Sequence, residues 1–134
     1  MTLKIKLNDP LKAKLYFENK IAYTTGPAEL KYLLDKGAQP NIIDVRAAEQ
    51  FAEGHIPGAL NLPEEAWHSL RGLATDRQNI IYCYSAVCHL GARAALFFAN
   101  KGFPVMELDG GIQGWRDYEY EEERSRPIAK NPAA

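Results

Sequence analysis

Between Ile21 and Trp115, short apolar runs rich in β-branched residues alternate with stretches of helical periodicity, and that alternation restricts the chain to one architecture. Strands that are separated by helices pair in parallel, and a parallel sheet has to be covered by helices, so the class is α/β. Strands are expected at Ile42 to Val45, Ala59 to Leu62, Asn79 to Cys83 and Val105 to Leu108, with a weak one around Ala22 to Thr24. Helices are expected at Pro27 to Lys36, Ala47 to Glu53, Glu64 to Leu70, His89 to Lys101 and Ile112 to Tyr118. Pro27 suits a first helical position because it lacks the N–H that would be orphaned there, and Gly37 and Gly102 suit helix C-termini. The Ala-rich helix ending at Lys101 is apolar around most of its circumference and should lie against the sheet.

At 134 residues there is room for one hydrophobic core. Residues 1–20 read as an N-terminal extension of a short strand (Leu3, Ile5 and Leu7 alternating with Lys4 and Lys6) and a helix. That extension either packs on its own domain or pairs with a second copy as a homodimer. Residues 21–119 form the main domain, and 120–134 read as a charged, flexible tail whose acids are simply solvated. A net charge of -1 removes the bulk attraction used by nucleic-acid and anionic-membrane binders, so neither is an expected partner. No run resembles a signal peptide or a bilayer span, and the expected location is cytoplasmic.

The chain has two cysteines, Cys83 and Cys88, in the stretch NIIYCYSAVCHLGARAALFFANKGF. Cys83 ends a buried strand, and in open parallel sheets ligands bind at that end. A loop running from such a strand into a helix presents backbone N–H groups, and the helix adds its own unsatisfied N–H groups and partial positive charge. A sulfur at the mouth of that cup is expected to be favoured as thiolate, and the loop Tyr84, Ser85, Ala86, Val87, Cys88 and His89 is expected to hold an anion.

Four blocks now stand in order: IIDVR (Ile42 to Arg46), FAEGHIPGALNLP (Phe51 to Pro63), IIYC ending at Cys83, and KGFPVMELDGGIQGW (Lys101 to Trp115). Together they resemble the rhodanese-like sulfurtransferases over roughly Tyr23 to Tyr118. The resemblance implies a five-stranded parallel sheet with helices on both faces. It also implies a Cys83 nucleophile that takes a sulfane sulfur from thiosulfate or a persulfide donor and passes it to a thiophilic acceptor. The implied partners are small sulfur-containing anions, thiol or persulfide acceptors and a sulfur-carrier protein; neither cofactor nor metal is required. Asp44 and Arg46 match signature positions and read mainly as structural, fixing the loop geometry, whereas His55 is a candidate auxiliary near the acceptor.

The chain departs from the family pattern where an Arg usually closes the loop, since Cys88 and His89 stand there and the loop is two residues longer. His89 and Arg93, one turn into the helix, are candidates to supply the missing positive charge. Cys88 reads either as a small packing residue or as a resolving thiol that forms a disulfide with Cys83. The alternative functions are a non-catalytic or redox-regulatory binding module and, on the longer loop, arsenate reductase or phosphatase-like chemistry. Trp67, His68 and Trp115 read as core or rim aromatics.

Overall fold

The computed structural model describes residues 1–125. The elements follow in the order α1 (Pro10–Tyr23), β1 (Thr24–Thr25), α2 (Pro27–Asp35), β2 (Asn41–Asp44), α3 (Ala48–Glu53), β3 (Leu60–Asn61), a 3-10 turn (Glu64–Ser69), β4 (Asn79–Tyr82), α4 (Leu90–Asn100), β5 (Val105–Leu108) and α5 (Gly111–Asp117). The strands form one five-stranded sheet in the order β1-β5-β4-β2-β3, parallel throughout. Each of the five strands expected between Ala22 and Leu108 is present, within two residues at each end.

Side chains alternate across the sheet, so β4 divides its residues between two cores. Ile80 and Tyr82 join Leu30 of α2 and Ile112 and Trp115 of α5 on one face, whereas Ile81 and Cys83 join Trp67, Ala94 and Phe98 on the other. Helices therefore cover both faces. On α4 the buried stripe is Gly91, Ala94 and Phe98, at helical spacing, while Leu96 on the far side is exposed. The helix is thus less enclosed than its composition suggests. Beneath the sheet, Asn79 accepts a hydrogen bond from Asn41 at 2.7 Å and donates to the carbonyls of Ala74 and Pro104, which satisfies its buried amide.

The two ends of the chain differ from expectation. Leu3, Ile5 and Leu7 form no strand, and each is about 90% exposed, because no neighbouring strand offers them a ladder or a core. The helix that follows does form. Asp9 caps it by accepting the Leu11 N–H at 3.0 Å, and Pro10 opens it. It runs on to Tyr23, past the boundary placed at residue 20, and none of its residues is buried.

The opposite correction applies to residues 120–125, which are fastened rather than free. Glu123 exchanges both backbone hydrogen bonds with His55 at 2.8 and 2.9 Å, Ser125 donates to Ala52, and Trp115 Nε1 donates to the Glu121 carbonyl. Glu122 pairs with Arg116 and Glu123 accepts the Gly58 N–H, so these acids are engaged rather than simply solvated. The rest of the expected tail, residues 126–134, lies outside the described residues. Among the described residues no helix is long and apolar enough to cross a membrane.

Candidate functional site

Two corners lie side by side at the carboxyl ends of β2 and β4, where Asp44 pairs with Tyr82 in the ladder. The β2 corner is closed by charge. Asp44 accepts the Arg46 backbone N–H at 2.8 Å and the guanidinium at 2.8 Å, and Arg46 also reaches the Gly54 carbonyl at 2.6 Å. Burial works against the Arg46 charge, but the hydrogen bond and attraction of Asp44 outweigh it and hold the guanidinium above its ordinary range. Both residues therefore serve structure by tying the strand end to the turn after α3. Beneath them, burial and then the Asp44 charge push the Tyr82 phenol well above its ordinary value, which keeps its hydroxyl protonated while it accepts the Ile56 N–H.

At the β4 corner the chain leaves the sheet at Cys83 and enters α4 at Leu90, so the loop spans 83–89. A tight turn links Ser85 to Cys88, whose N–H donates to the Ser85 carbonyl at 3.2 Å. That N–H is committed to the turn. Ala86 and Val87 form the exposed tip.

The other side of the loop rests on α5. Ile112 donates to the Cys83 carbonyl and Gln113 to the Tyr84 carbonyl, each at 3.0 Å. A trans peptide points its N–H opposite to its C=O, so anchoring these carbonyls on α5 turns the N–H groups of Tyr84 and Ser85 away from it. The Tyr84 N–H accordingly faces both cysteine sulfurs. Gly111 makes this docking achievable. Its φ is +59°, and a Cβ there would lie 2.7 Å from the Cys83 carbonyl oxygen and 2.9 Å from the Ser85 nitrogen. Sequence reasoning gave Gly111 no role, although the Gly-Gly pair before a helix was the available signal.

The two thiols occupy different surroundings. Cys83 is 3% exposed, on the floor of the corner, with its sulfur 3.6 Å from the Cys88 carbonyl oxygen. Burial and the hydrogen bond to Cys88 push its thiol up, against the pull of the Gly91 and Tyr84 N–H groups. Burial on the floor thus works against the Cys83 thiolate that the surrounding N–H groups favour. Cys88 is half-buried at the start of α4. Burial is the largest single influence on its thiol and raises it, but the Leu90 N–H, the Cys83 hydrogen bond, the Tyr84 N–H and the Arg93 charge together bring it below the ordinary value. Thiolate-stabilising N–H groups thus act on both cysteines, and burial outweighs them at Cys83 alone.

Among the candidate auxiliaries, the Arg93 charge acts on the Cys88 thiol, while its guanidinium also lies 4.0 Å from Glu64. His89 occupies the N-cap position of α4, is exposed, and faces Glu107 electrostatically. His55 is not drawn into the site. It is buried, stacks on Phe51 at 3.8 Å, hydrogen-bonds the Phe51 carbonyl and holds the segment containing Glu123. Trp67 and Trp115 are buried core residues and His68 is exposed.

One acid was missed. Glu107 on β5 projects to the same sheet face as Cys83, and a Cβ on Gly91 would lie 2.8 Å from its carboxylate and 3.4 Å from the Cys83 sulfur. Burial and Asp109 raise its carboxyl, while His89 and Lys20 counter the rise. Its signal was a lone acid inside the apolar run VMEL. A cleft of about 300 Å³ lies on the α5 side of the loop, between Arg46, Tyr84, Ser85, Gln113 and Arg116, and contains neither cysteine. Among the described residues no cluster of three or more His, Cys, Asp or Glu side chains could hold a metal ion.

Three comparisons bear on this arrangement. The rhodanese-like domain profile matches residues 26–118. A thiosulfate sulfurtransferase GlpE from Shewanella oneidensis is 36% identical over 78 residues, which cover 57% of this chain and 75% of that protein. An HTH-type transcriptional regulator from Mycobacterium tuberculosis is 35% identical over 82 residues, covering 60% of this chain but 36% of the regulator, so the match spans little more than a third of that protein. The crystal structure of a Bacillus halodurans protein superposes with a TM-score of 0.80 at 34% identity, covering 87% of this chain and 88% of that one.

Proposed function

The chain belongs to the rhodanese-like domain family, and on that premise we propose that it is a sulfurtransferase that carries a sulfane sulfur as a persulfide on Cys83. The family supports sulfur transfer as the class of reaction. The observation that carries the finer reading is the placement of Cys83 at the carboxyl end of β4, with the Tyr84 and Gly91 N–H groups facing its sulfur.

With thiosulfate as donor, Cys83 Sγ attacks the outer sulfur, the S–S bond of the donor breaks, and sulfite departs with the electron pair. Burial favours the protonated thiol at Cys83, so a base is needed at the moment of attack. Cys88, whose carbonyl oxygen lies 3.6 Å from the Cys83 sulfur, is the neighbouring residue whose thiolate takes the proton. The persulfide then occupies the place of one anionic sulfur among fixed N–H donors, and a thiophilic acceptor removes it in a second displacement.

Intact mass after incubation with thiosulfate tests this. The expected result is a gain of one sulfur that cyanide removes and that Cys83→Ser does not acquire. No gain with thiosulfate or with glutathione persulfide would overturn the reading and leave the chain as a binding module on a rhodanese-like fold.

A further inference from the structure

The two sulfurs share the Tyr84 N–H but stand at different depths, one on the dry floor and one half-exposed beside the exposed tip formed by Ala86 and Val87. A persulfide on Cys83 would place a charged outer sulfur in the more buried of the two positions, where a bulky thiol has little access. Cys88 lies just before α4 and is half-buried, with the Leu90 N–H directed at its sulfur and the Arg93 charge acting on it. A charge moved from floor to rim leaves a desolvated position for one stabilised by a helix N-terminus and a cation.

Resting on the persulfide reading above, we propose that Cys88 is the outlet of the site: it takes the sulfane sulfur from Cys83 and presents it at the rim to a thiol acceptor too large to reach the floor. The Cys88 thiol passes its proton to the outer sulfur of the persulfide anion, and the resulting thiolate attacks that sulfur in Cys83–S–SH. A bond forms between Cys88 Sγ and the sulfane sulfur, the bond from that sulfur to Cys83 Sγ breaks, and the electron pair stays on Cys83 Sγ. Cys83 takes up the proton of the transferred sulfur, which yields a Cys88 persulfide anion and a Cys83 thiol. No oxidant or reductant enters, and the protonated group at the end is the one that burial favours. This differs from a resolving cysteine, which would attack Cys83 Sγ itself, expel hydrosulfide and leave a disulfide needing reduction.

The test loads the full chain with thiosulfate, quenches it with an alkylating agent after increasing times, and locates the extra sulfur by peptide fragmentation. Sulfur appearing first on Cys83 and then accumulating on Cys88 is expected. In Cys88→Ser loading should be slower for want of the base, but the sulfur that does load should stay on Cys83, with its transfer to glutathione slowed roughly tenfold or more relative to its transfer to cyanide, the smaller acceptor. Sulfur that never leaves Cys83 in the wild type overturns the relay while preserving the persulfide reading. So does a Cys83–Cys88 disulfide with release of hydrosulfide. Sulfur on Cys88 in Cys83→Ser, without passage through Cys83, overturns the order of the steps, and no sulfur on either cysteine overturns both proposals. The wild-type time course decides the matter even if a variant fails to fold.

Discussion

The ends of β2 and β4 are neighbours in one ladder, yet they use their polar groups in opposite ways. At β2, Asp44 and Arg46 saturate each other and leave almost no surface, with side-chain exposures of 0% and 3%. At β4, the loop carbonyls are anchored on α5 while the Tyr84 N–H and two thiols remain available to one another. Two strand ends in equivalent positions therefore divide the labour. One holds the corner rigid, and the other keeps groups whose protonation can change.

The most severe way to break this contrast is to remove the group at the β4 end. Cys83→Ser should abolish sulfur uptake from thiosulfate, as read by intact mass, with little loss of structure. The β2 end should respond in the opposite sense. Arg46→Ala leaves the Asp44 carboxylate buried without its partner, and about 3–5 kcal/mol of stability should be lost in urea unfolding. Gly111→Ala tests the anchor between the corners. A Cβ in contact with loop backbone at a left-handed φ should cost about 1–3 kcal/mol and slow sulfur loading by shifting the Tyr84 N–H.

Smaller effects sharpen the contrast within the loop itself. Alkylation followed against pH should show Cys88 reacting with a midpoint below the ordinary thiol value and Cys83 with one above it. Midpoints in the reverse order would contradict the assignment of base and floor. Glu107→Gln should have the least effect. The raised Glu107 carboxyl stays protonated in the folded chain at pH values where it would ionise unfolded, so its contribution is present below the ordinary carboxyl range and is lost as pH rises through the folded value. The stability difference between wild type and Glu107→Gln should therefore fall with rising pH over that window.

What the sequence made legible was periodic. The β-branched runs located β2, β4 and β5, and Pro27 marked a helix start, because strand and helix patterning depends on burial that recurs at a fixed spacing. Cys83 was found by its place at the end of such a run. The helix near residue 10 was also legible, but the alternation of Leu3, Ile5 and Leu7 misled, since alternation forms a strand only where a neighbour offers hydrogen bonds. Residues 120–125 misled in the other direction. Their acids look solvated in sequence, yet Glu123 pairs through its backbone with His55, a contact no local pattern encodes. The division of roles between the cysteines was hidden for a similar reason. Depth and shared N–H donors arise from how the loop sits on α5 and α4, and a spacing of residues says nothing of depth.

The strand order has a consequence for how the chain assembles. Among the described residues β1 lies at the sheet edge and has β5 as its single strand partner, with Thr24 opposite Glu107 and Thr25 opposite Leu108. The first strand of this sheet thus waits for the last before it can join the sheet. Loop closure over so long a separation is entropically costly, so docking of β1 should be a late event in folding. α1 runs directly into β1 and reaches β5 through the 3.6 Å contact of Lys20 with Asp109, so it can reach its final position only after that late step. A nascent chain ending before Val105 would hold the β2–β4 pair, and with it the cysteine loop, while its own first strand remained unpaired.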